Sequence, residues 1–279
     1  MIRHIIMAGG KSTRLYPITI NTPKQFQSFI PNYKGTMLDY TNDIYKPLVD
    51  YTQVITTEQY KQIFEKLNLN YENILYEPSA HGTGYAISFM TAMNNFNDED
   101  ILIITPSDQY LGPIDNLDYF YNIIKNAINT LSKSSDLLIL IGNTLKDSFT
   151  QFGLIETNNI YNIDGIISTD IKRFIEKPSK QKFLRNMGIF IVKVKTLIKM
   201  LELDKDLYRC FLDIRFKRKS IEKVYNNITN DVSFDRNIIE KVNVSNIAVY
   251  VYDKKWLDIG LPENLKQLKL LGEDNHDQK

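Results

Sequence analysis

Short apolar runs alternate with amphipathic stretches through the first half of the chain. Residues 2–7, 101–105 and 137–142 are mainly apolar, as is typical of strands buried on both faces of a parallel sheet. The stretch at 117–131 has helical periodicity instead. Strand–helix–strand alternation at this spacing predicts βαβ units. We therefore expect an α/β fold, with a mixed, mostly parallel sheet flanked by helices.

The pattern changes after residue 152. Short β-like runs separated by Asn-rich segments at 157–159 and 161–162 predict hairpins with turns at those positions. Two helices at 195–200 and 207–225, a strand at 247–252 and a helix at 262–271 are expected to follow. We expect residues 1–272 to form one domain around one sheet, and residues 273–279 to be a frayed tail.

Charge and cysteine content exclude several classes of protein. The chain of 279 residues has 34 Lys and Arg against 33 Asp and Glu, a formal net charge of +1. Nucleic-acid binding needs a clear basic surplus, so neither nucleic acid nor an anionic membrane is an expected partner. A single cysteine, Cys210, excludes an internal disulfide framework and fits a reducing compartment. No apolar run approaches the roughly 18 residues of a membrane span, so we expect a cytoplasmic protein.

Histidine content limits the chemistry. His4, His81 and His276 are the only histidines and lie far apart in the sequence. They cannot form an HExxH site or a His-rich zinc site, and no GxSxG motif is present for a Ser-His-Asp triad. Chemistry must therefore depend on Asp, Glu, Lys, Arg and backbone amides, which favours phosphate chemistry with a hard metal ion.

The loop after the first predicted strand carries the clearest functional signal. It reads Ala8-Gly9-Gly10-Lys11-Ser12-Thr13-Arg14. Glycines let the backbone approach a ligand closely, successive amides can bind an anion, and Lys11 and Arg14 add positive charge. The loop is not a P-loop, because Ile5 stands where that motif requires glycine. A tight turn with solvated basic residues is the alternative interpretation. Thr22-Pro23-Lys24-Gln25-Phe26 follows on the same loop.

These residues belong to a series of blocks that resembles the sugar-1-phosphate nucleotidyltransferases, most closely the mannose-1-phosphate guanylyltransferases. The first block is MAGGKSTRLYPITINTPKQF at 7–26. The later blocks follow in the family's order at 77–78, 82–83, 106–108, 152–156, 174–178, 186–190, 233–235, 240–241 and 256–260. The resemblance extends from the start of the chain to about residue 265.

The resemblance implies a Rossmann-like, GT-A-type fold with a nucleotide-binding half at 1–150 and a smaller, β-rich sugar-phosphate half at 151–272. It implies that GTP and a sugar 1-phosphate, either mannose 1-phosphate or a related hexose or heptose, are converted to a GDP-sugar and pyrophosphate. Mg²⁺ is the implied cofactor. Whether the chain forms a homo-oligomer is left open.

The resemblance also implies roles for individual residues. Asp108 and Asp258 are the implied metal ligands, and Arg14 and Lys24 the implied catalytic cations. The implied nucleotide-binding residues are Ala8, Gly9, Gly10, Lys11, Ser12, Thr13, Glu77, Gly82 and Thr83. The implied sugar-phosphate-binding residues are Gly153, Glu176, Lys177 and Asn186. Glu77 would read guanine by accepting the hydrogens of N1 and the 2-amino group, which no other common base presents together.

The sequence departs from the family pattern at several positions. Ser12 stands where the loop has glycine, His81 where the guanylyltransferase block has Arg, and Arg185 where an aromatic residue precedes the Asn. Two alternatives therefore remain. One is the same fold using CTP, dTTP or UTP, and the other is a catalytically silent, sugar-nucleotide-binding regulatory paralogue. The joint presence of Arg14 and the four residues Lys24, Asp108, Lys177 and Asp258 argues against the silent paralogue.

Overall fold

A computed structural model describes residues 1–69, 71–134, 136–144, 153–163, 166–176 and 183–274. The strands in chain order are β1 (Ile2–Met7), β2 (Tyr51–Thr57), β3 (Ile74–Glu77), β4 (Ile101–Pro106), β5 (Gln109–Tyr110), β6 (Leu138–Thr144), β7 (Gly153–Ile163), β8 (Ile166–Glu176), β9 (Phe183–Lys193), β10 (Ile247–Tyr252) and β11 (Leu257–Asp258). The α-helices are α1 (Met37–Tyr45), α2 (Lys61–Lys66), α3 (Thr83–Met93), α4 (Asp118–Lys133), α5 (Val194–Leu201), α6 (Lys205–Arg215), α7 (Ile221–Tyr225), α8 (Phe234–Asn237) and α9 (Pro262–Asp274).

Within the described ranges, nine of these strands form one sheet in the order β3-β2-β1-β4-β9-β6-β10-β8-β7. The strands β1 to β4 pair in parallel, as do β6 and β10. Strand β9 lies between β4 and β6 and is antiparallel to both, so β4 and β6 have the same direction. Strands β5 and β11 form a separate antiparallel ribbon. The expectation of a mixed, mostly parallel sheet is confirmed.

The sheet is covered on both faces, and the apolar sequence of β4 follows from this. Leu102 and Ile104 pack into a cluster with side chains of α3, α5 and α6. Ile101 and Ile103 point to the opposite face, into a cluster with α1, α4 and α9. Since successive side chains of a strand alternate between faces, a strand covered on both sides must be apolar at every position.

Two local expectations were wrong. The segment 207–225 is not one helix, because α6 ends at Arg215, Lys217 adopts a positive φ of 52°, and α7 then begins at Ile221.

The Asn-rich segments are not turns either. Strand β7 continues through them to Ile163, with an irregular register between the pairs formed by Thr157 and Ile160. The hairpin itself is present, formed by β7 and β8.

The end of the chain also differs from expectation. Helix α9 extends to Asp274, so residues 273 and 274 are helical and not part of a frayed tail, and the rest of that tail lies outside the described residues. In the part of the chain that the structure describes, every helix is too short or too polar to cross a membrane.

Candidate active site

A crevice opens at the carboxyl edge of the sheet, where β1, β3 and β4 end. Its volume is about 230 Å³. Its lining includes Gly9, Gly10, Lys24, Gln25, Glu77, Gly82, Thr83, Pro106, Ser107 and Asp108. The crevice therefore collects residues that are up to 101 positions apart in the sequence, from Met7 to Asp108. Ligands of open α/β sheets bind at this edge.

The glycine-rich loop is held in place by a buried side chain. The Gln25 side chain is 1% exposed, and its Nε2 donates hydrogen bonds to the carbonyl oxygens of Ala8 and Gly10, each at 2.9 Å. Gly9 lies close to Glu77, since a Cβ at Gly9 would meet Glu77 Oε1 at 3.4 Å. Gln25 belongs to the first sequence block, at 7–26, but no role was predicted for it.

Ser12 adopts the conformation that favours glycine. Its φ is 58° and its ψ 27°, in the left-handed region. The Ser12 hydroxyl makes two hydrogen bonds within the protein. Its Oγ accepts from the Lys24 N–H at 3.0 Å and donates to Gln25 Oε1 at 3.2 Å. The Ser12 carbonyl accepts from the Thr19 hydroxyl at 2.7 Å. Of the other loop residues in the predicted nucleotide site, Ala8 is buried, and Lys11 and Thr13 are exposed.

A cluster of two carboxylates and two cations lies beside the loop. Lys24 Nζ forms an ion pair with Asp108 Oδ2. The β5–β11 ribbon places Asp258 opposite Gln109, and the Ile259 N–H donates to the Asp108 carbonyl at 2.9 Å. Burial, and next the negative charge of Asp108, raise the pKa of Asp258 to about 6, opposed by the positive charges of Lys24 and Arg14. The structure thus brings together all four residues that the sequence assigned to catalysis and metal binding.

Gly260 makes this cluster possible, although no role was predicted for it. A Cβ at Gly260 would lie 2.9 Å from Asp258 Oδ1 and 3.2 Å from Arg14 Nη2. The absence of a side chain at Gly260 therefore leaves room for the Arg14 guanidinium and the Asp258 carboxylate to lie near one another. The sequence block at 256–260, which ends in Gly260, is the feature that could have indicated a role for this glycine.

The two carboxylates suit a hard divalent cation. Asp258 Oδ1 is buried and has no hydrogen-bond partner among the described residues, which is costly for a carboxylate unless another group binds it. Within the same ranges, no group of three or more His, Cys, Asp and Glu side chains could hold a metal ion. A pair of carboxylates nevertheless fits Mg²⁺, which commonly takes one or two of them together with phosphate oxygens and water.

Glu77 ends β3 and lines the same crevice. The side chain is 3% exposed, and its Oε2 accepts a hydrogen bond from the Tyr225 hydroxyl of α7 at 3.1 Å. Burial raises the pKa of Glu77 to about 8, against the opposing effect of the Tyr225 hydrogen bond. Oε1 is the oxygen that faces Gly9. Tyr225 is separated from Glu77 by 148 residues and was not predicted to be near the site.

The start of α3 closes the crevice on a third side. Gly82 has a positive φ of 87°, and a Cβ there would lie 2.4 Å from the Val232 carbonyl oxygen. The Thr83 hydroxyl accepts from the Phe234 N–H at 2.9 Å. His81 Nδ1 lies 3.4 Å from Asp231 Oδ1. Gly82 and Thr83 both line the crevice, while His81, at the family's Arg position, contacts the 231–234 segment.

The predicted sugar-phosphate residues are described only in part. Gly153 pairs with Glu176 in the β7–β8 ladder, whereas Lys177 lies outside the described residues, as does the side chain of Glu176. Asn186 Nδ2 donates to Asp235 Oδ1 at 2.7 Å, and its Oδ1 accepts from the Gly188 N–H at 3.1 Å. The Asn186 amide is therefore anchored by protein groups on both sides.

His4 is a buried residue of the core and does not line the crevice. It lies on β1 and is fully buried, stacked on Tyr45 of α1 with ring centroids 4.2 Å apart, and its Nε2 is 2.9 Å from Oγ1 of Thr105 on β4. Burial lowers the pKa of His4 to about 3. This agrees with the expectation that the chemistry does not use this histidine.

An α/β sheet with a crevice at its carboxyl edge is a ligand-binding arrangement of open α/β proteins. Residues 3–274 match the Nucleotidyl transferase family. The chain belongs to that family, and the predicted resemblance to nucleotidyltransferases is confirmed.

Two curated proteins with similar sequences are named as sugar-1-phosphate nucleotidyltransferases. The mannose-1-phosphate guanylyltransferase of Sinorhizobium fredii (strain NBRC 101917 / NGR234) is 23% identical over 91% of this chain and 52% of that protein. The bifunctional sugar-1-phosphate nucleotidylyltransferase/acetyltransferase of Sulfurisphaera tokodaii is 26% identical over 98% of this chain and 56% of that protein. The chain thus spans about half the length of these relatives. The crystal structure of a mannose-1-phosphate geranyltransferase from Thermus thermophilus has the same fold, with a TM-score of 0.82 at 20% identity, over 96% of this chain and 79% of that one.

Proposed function

We propose that this chain transfers a nucleotidyl group from GTP to a sugar 1-phosphate and releases pyrophosphate. The observation that carries the proposal is the grouping of Lys24, Asp108 and Asp258 beside the glycine-rich loop. We propose mannose 1-phosphate, or a related hexose or heptose 1-phosphate, as the acceptor, and a GDP-sugar as the product. The names of the relatives support this choice.

In the proposed reaction, an oxygen of the sugar phosphate forms a bond to the α-phosphorus of the nucleotide. The bond from that phosphorus to the bridging oxygen breaks, and pyrophosphate leaves. The attacking group is already an anion, so no strong base is required. The protein must instead orient two anions and reduce their repulsion. Arg14 and Lys24 would supply positive charge to the triphosphate, and backbone amides of the loop would orient it.

Asp108 and Asp258 would hold Mg²⁺ together with phosphate oxygens. The Oδ1 of Asp258, which is buried without a hydrogen-bond partner among the described residues, supports this assignment. The bound ion would supply neutralisation of the charge that develops on the phosphates. Lys177 would contact the sugar phosphate, by the resemblance of its sequence block.

The base preference depends on Glu77. An ionised Glu77 can accept two hydrogen bonds, which matches guanine N1–H and its 2-amino group. Its position at the wall of the crevice, near Gly9, supports contact with the base.

A specific observation favours a second candidate, the same reaction with dTTP or UTP. Tyr225 already donates to one oxygen of Glu77, and burial raises the pKa of this carboxyl to about 8. A protonated carboxyl offers one donor and one acceptor, which matches the adjacent carbonyl oxygen and N3–H of thymine or uracil.

The experiment is pyrophosphate release by the purified chain with Mg²⁺. GTP, CTP, UTP and dTTP are each combined with mannose, glucose and heptose 1-phosphates. We expect turnover with GTP and with mannose or heptose 1-phosphate. Turnover with dTTP or UTP alone would contradict the guanine assignment and support the second candidate. Absence of turnover in every combination, together with binding of a sugar nucleotide, would support a silent regulatory paralogue.

A further inference from the structure

We propose that Ser12 is a positioning residue that holds Lys24 in its catalytic orientation through the Ser12 hydroxyl. The inference rests on the proposed nucleotidyl transfer and on the role of Lys24 in it. It does not depend on which base or sugar the chain uses.

The first observation is the hydrogen-bond arrangement around this hydroxyl. Ser12 Oγ accepts from the backbone N–H of Lys24 and donates to the Gln25 side-chain oxygen. The same Gln25 side chain donates to the Ala8 and Gly10 carbonyls. One serine therefore connects the glycine-rich loop to the Pro-Lys-Gln segment, which lies 12 residues further along the chain.

The second observation is the backbone conformation. The left-handed region is unfavourable for a residue with a side chain, because its Cβ approaches the following carbonyl oxygen, and glycine avoids this cost. Ser12 adopts a φ of 58° in spite of that. Its carbonyl accepts from the Leu15 N–H at 3.1 Å and from the Thr19 hydroxyl at 2.7 Å. These bonds hold the turn, and the hydroxyl adds a contact that glycine cannot make.

The hydrogen bond from the Lys24 amide to Ser12 bears on where the Lys24 side chain lies. This side chain is 10% exposed and is paired with Asp108. The hydrogen bond to Ser12 holds the backbone amide of Lys24, and thereby the starting point of its side chain. A misplacement of about 1 Å at an active site can reduce the rate by about a hundredfold.

The test compares Ser12→Ala, Ser12→Gly and Lys24→Met with the double variant Ser12→Ala/Lys24→Met. Both Ser12 variants should lower kcat about tenfold or more while the KM for the sugar phosphate stays within about twofold. In the Lys24→Met background, Ser12→Ala should cause no further loss. Ser132→Ala, which removes an exposed hydroxyl on α4, is the matched control and should leave kcat unchanged.

A readout independent of turnover is hydrogen exchange of the Lys24 amide. Ser12→Ala and Ser12→Gly should accelerate its exchange, because both remove the acceptor. A Ser12→Gly enzyme as active as the wild type would overturn the proposal, as would unchanged exchange at Lys24. Faster exchange with unchanged kcat would also overturn it, since Ser12 would then hold the loop without positioning Lys24. If no nucleotide and sugar pair gives turnover, the proposed function fails, while the exchange experiment still tests the hydrogen bond.

Discussion

At the scale of single residues, the site is an arrangement of charges that offset one another. Asp108 is paired with Lys24, and the half-buried Asp258 lies near both, with Arg14 close enough to influence its pKa. Removal of one charge leaves the others without compensation. Each substitution in this cluster should therefore affect turnover more than it affects the fold.

Asp108→Asn should reduce turnover by at least about a hundredfold and leave the fold intact, because the amide keeps the shape of the side chain but not its charge. Pyrophosphate release and thermal unfolding are the two measurements. Asp115→Asn, at an exposed position, is the control and should change neither. Near-normal turnover of Asp108→Asn would contradict the proposed metal role.

Nucleotide binding should depend on pH through Glu77. Burial raises its pKa to about 8, so the ionised fraction increases about 25-fold between about pH 6.5 and pH 8.5. If the carboxylate accepts both guanine donors, the affinity for GTP should increase by a similar factor over that range. Glu77→Gln should remove this dependence.

Calorimetric Kd values for the wild type and Glu77→Gln, measured across that pH range, test this expectation. An affinity that decreases above about pH 8 would mean that the protonated carboxyl reads the base, as the dTTP or UTP alternative requires.

At the scale of secondary-structure elements, several strands were predictable because local composition determines them. The ILIIT segment of β4 must be apolar since it is covered on both faces. The insertion of β9 between β4 and β6 was not predictable, because strand pairing is a long-range property. The break between α6 and α7 was missed for a different reason. The apolar pattern continues across Lys217, whose left-handed conformation ends the helix.

The start of α3 gives a prediction about stability. Gly82→Ala would place a Cβ 2.4 Å from the Val232 carbonyl oxygen at a positive φ of 87°, and should destabilise the fold by more than about 1 kcal/mol. The Tm should fall by at least about 2 °C. Gly10→Ala is the matched control for stability, since a Cβ there meets no described atom within 4 Å. An equal Tm for the two variants would contradict the packing of α3 on the 231–234 segment.

The contact between β1 and β4 should make stability depend on pH. His4 has a folded-state pKa of about 3 against its usual 6.5, so the unfolded chain binds the proton first as the pH falls. This difference in His4 protonation has almost no effect on stability above about pH 6.5. At about pH 5 it lowers the free energy of unfolding by about 2 kcal/mol.

Denaturant unfolding of the wild type and His4→Phe over this range should show a shallower pH dependence in the variant. The NMR signals of the His4 ring should not titrate between about pH 8 and pH 5. Titration in that range would contradict the buried, neutral state of His4.

At the scale of the whole molecule, much of the site could be predicted from ordered sequence blocks. Arg14, Lys24, Asp108 and Asp258 come together as expected, although 244 positions separate the first from the last. Contacts made by residues outside the blocks could not be predicted. Tyr225 contacts Glu77 only through the tertiary placement of α7, 148 positions further along the chain. The role of Gln25 depends on the three-dimensional course of the loop.

The central claim is that this crevice transfers a nucleotidyl group to a sugar 1-phosphate. The most direct measurement is identification of the products formed by the purified chain from GTP and mannose 1-phosphate with Mg²⁺, by mass spectrometry, with each substrate also omitted in turn. We expect GDP-mannose and pyrophosphate in equal amounts, and neither product when the sugar phosphate or GTP is absent. Pyrophosphate formed from GTP without the sugar phosphate, and no GDP-sugar in its presence, would show a hydrolase and contradict the proposed nucleotidyl transfer.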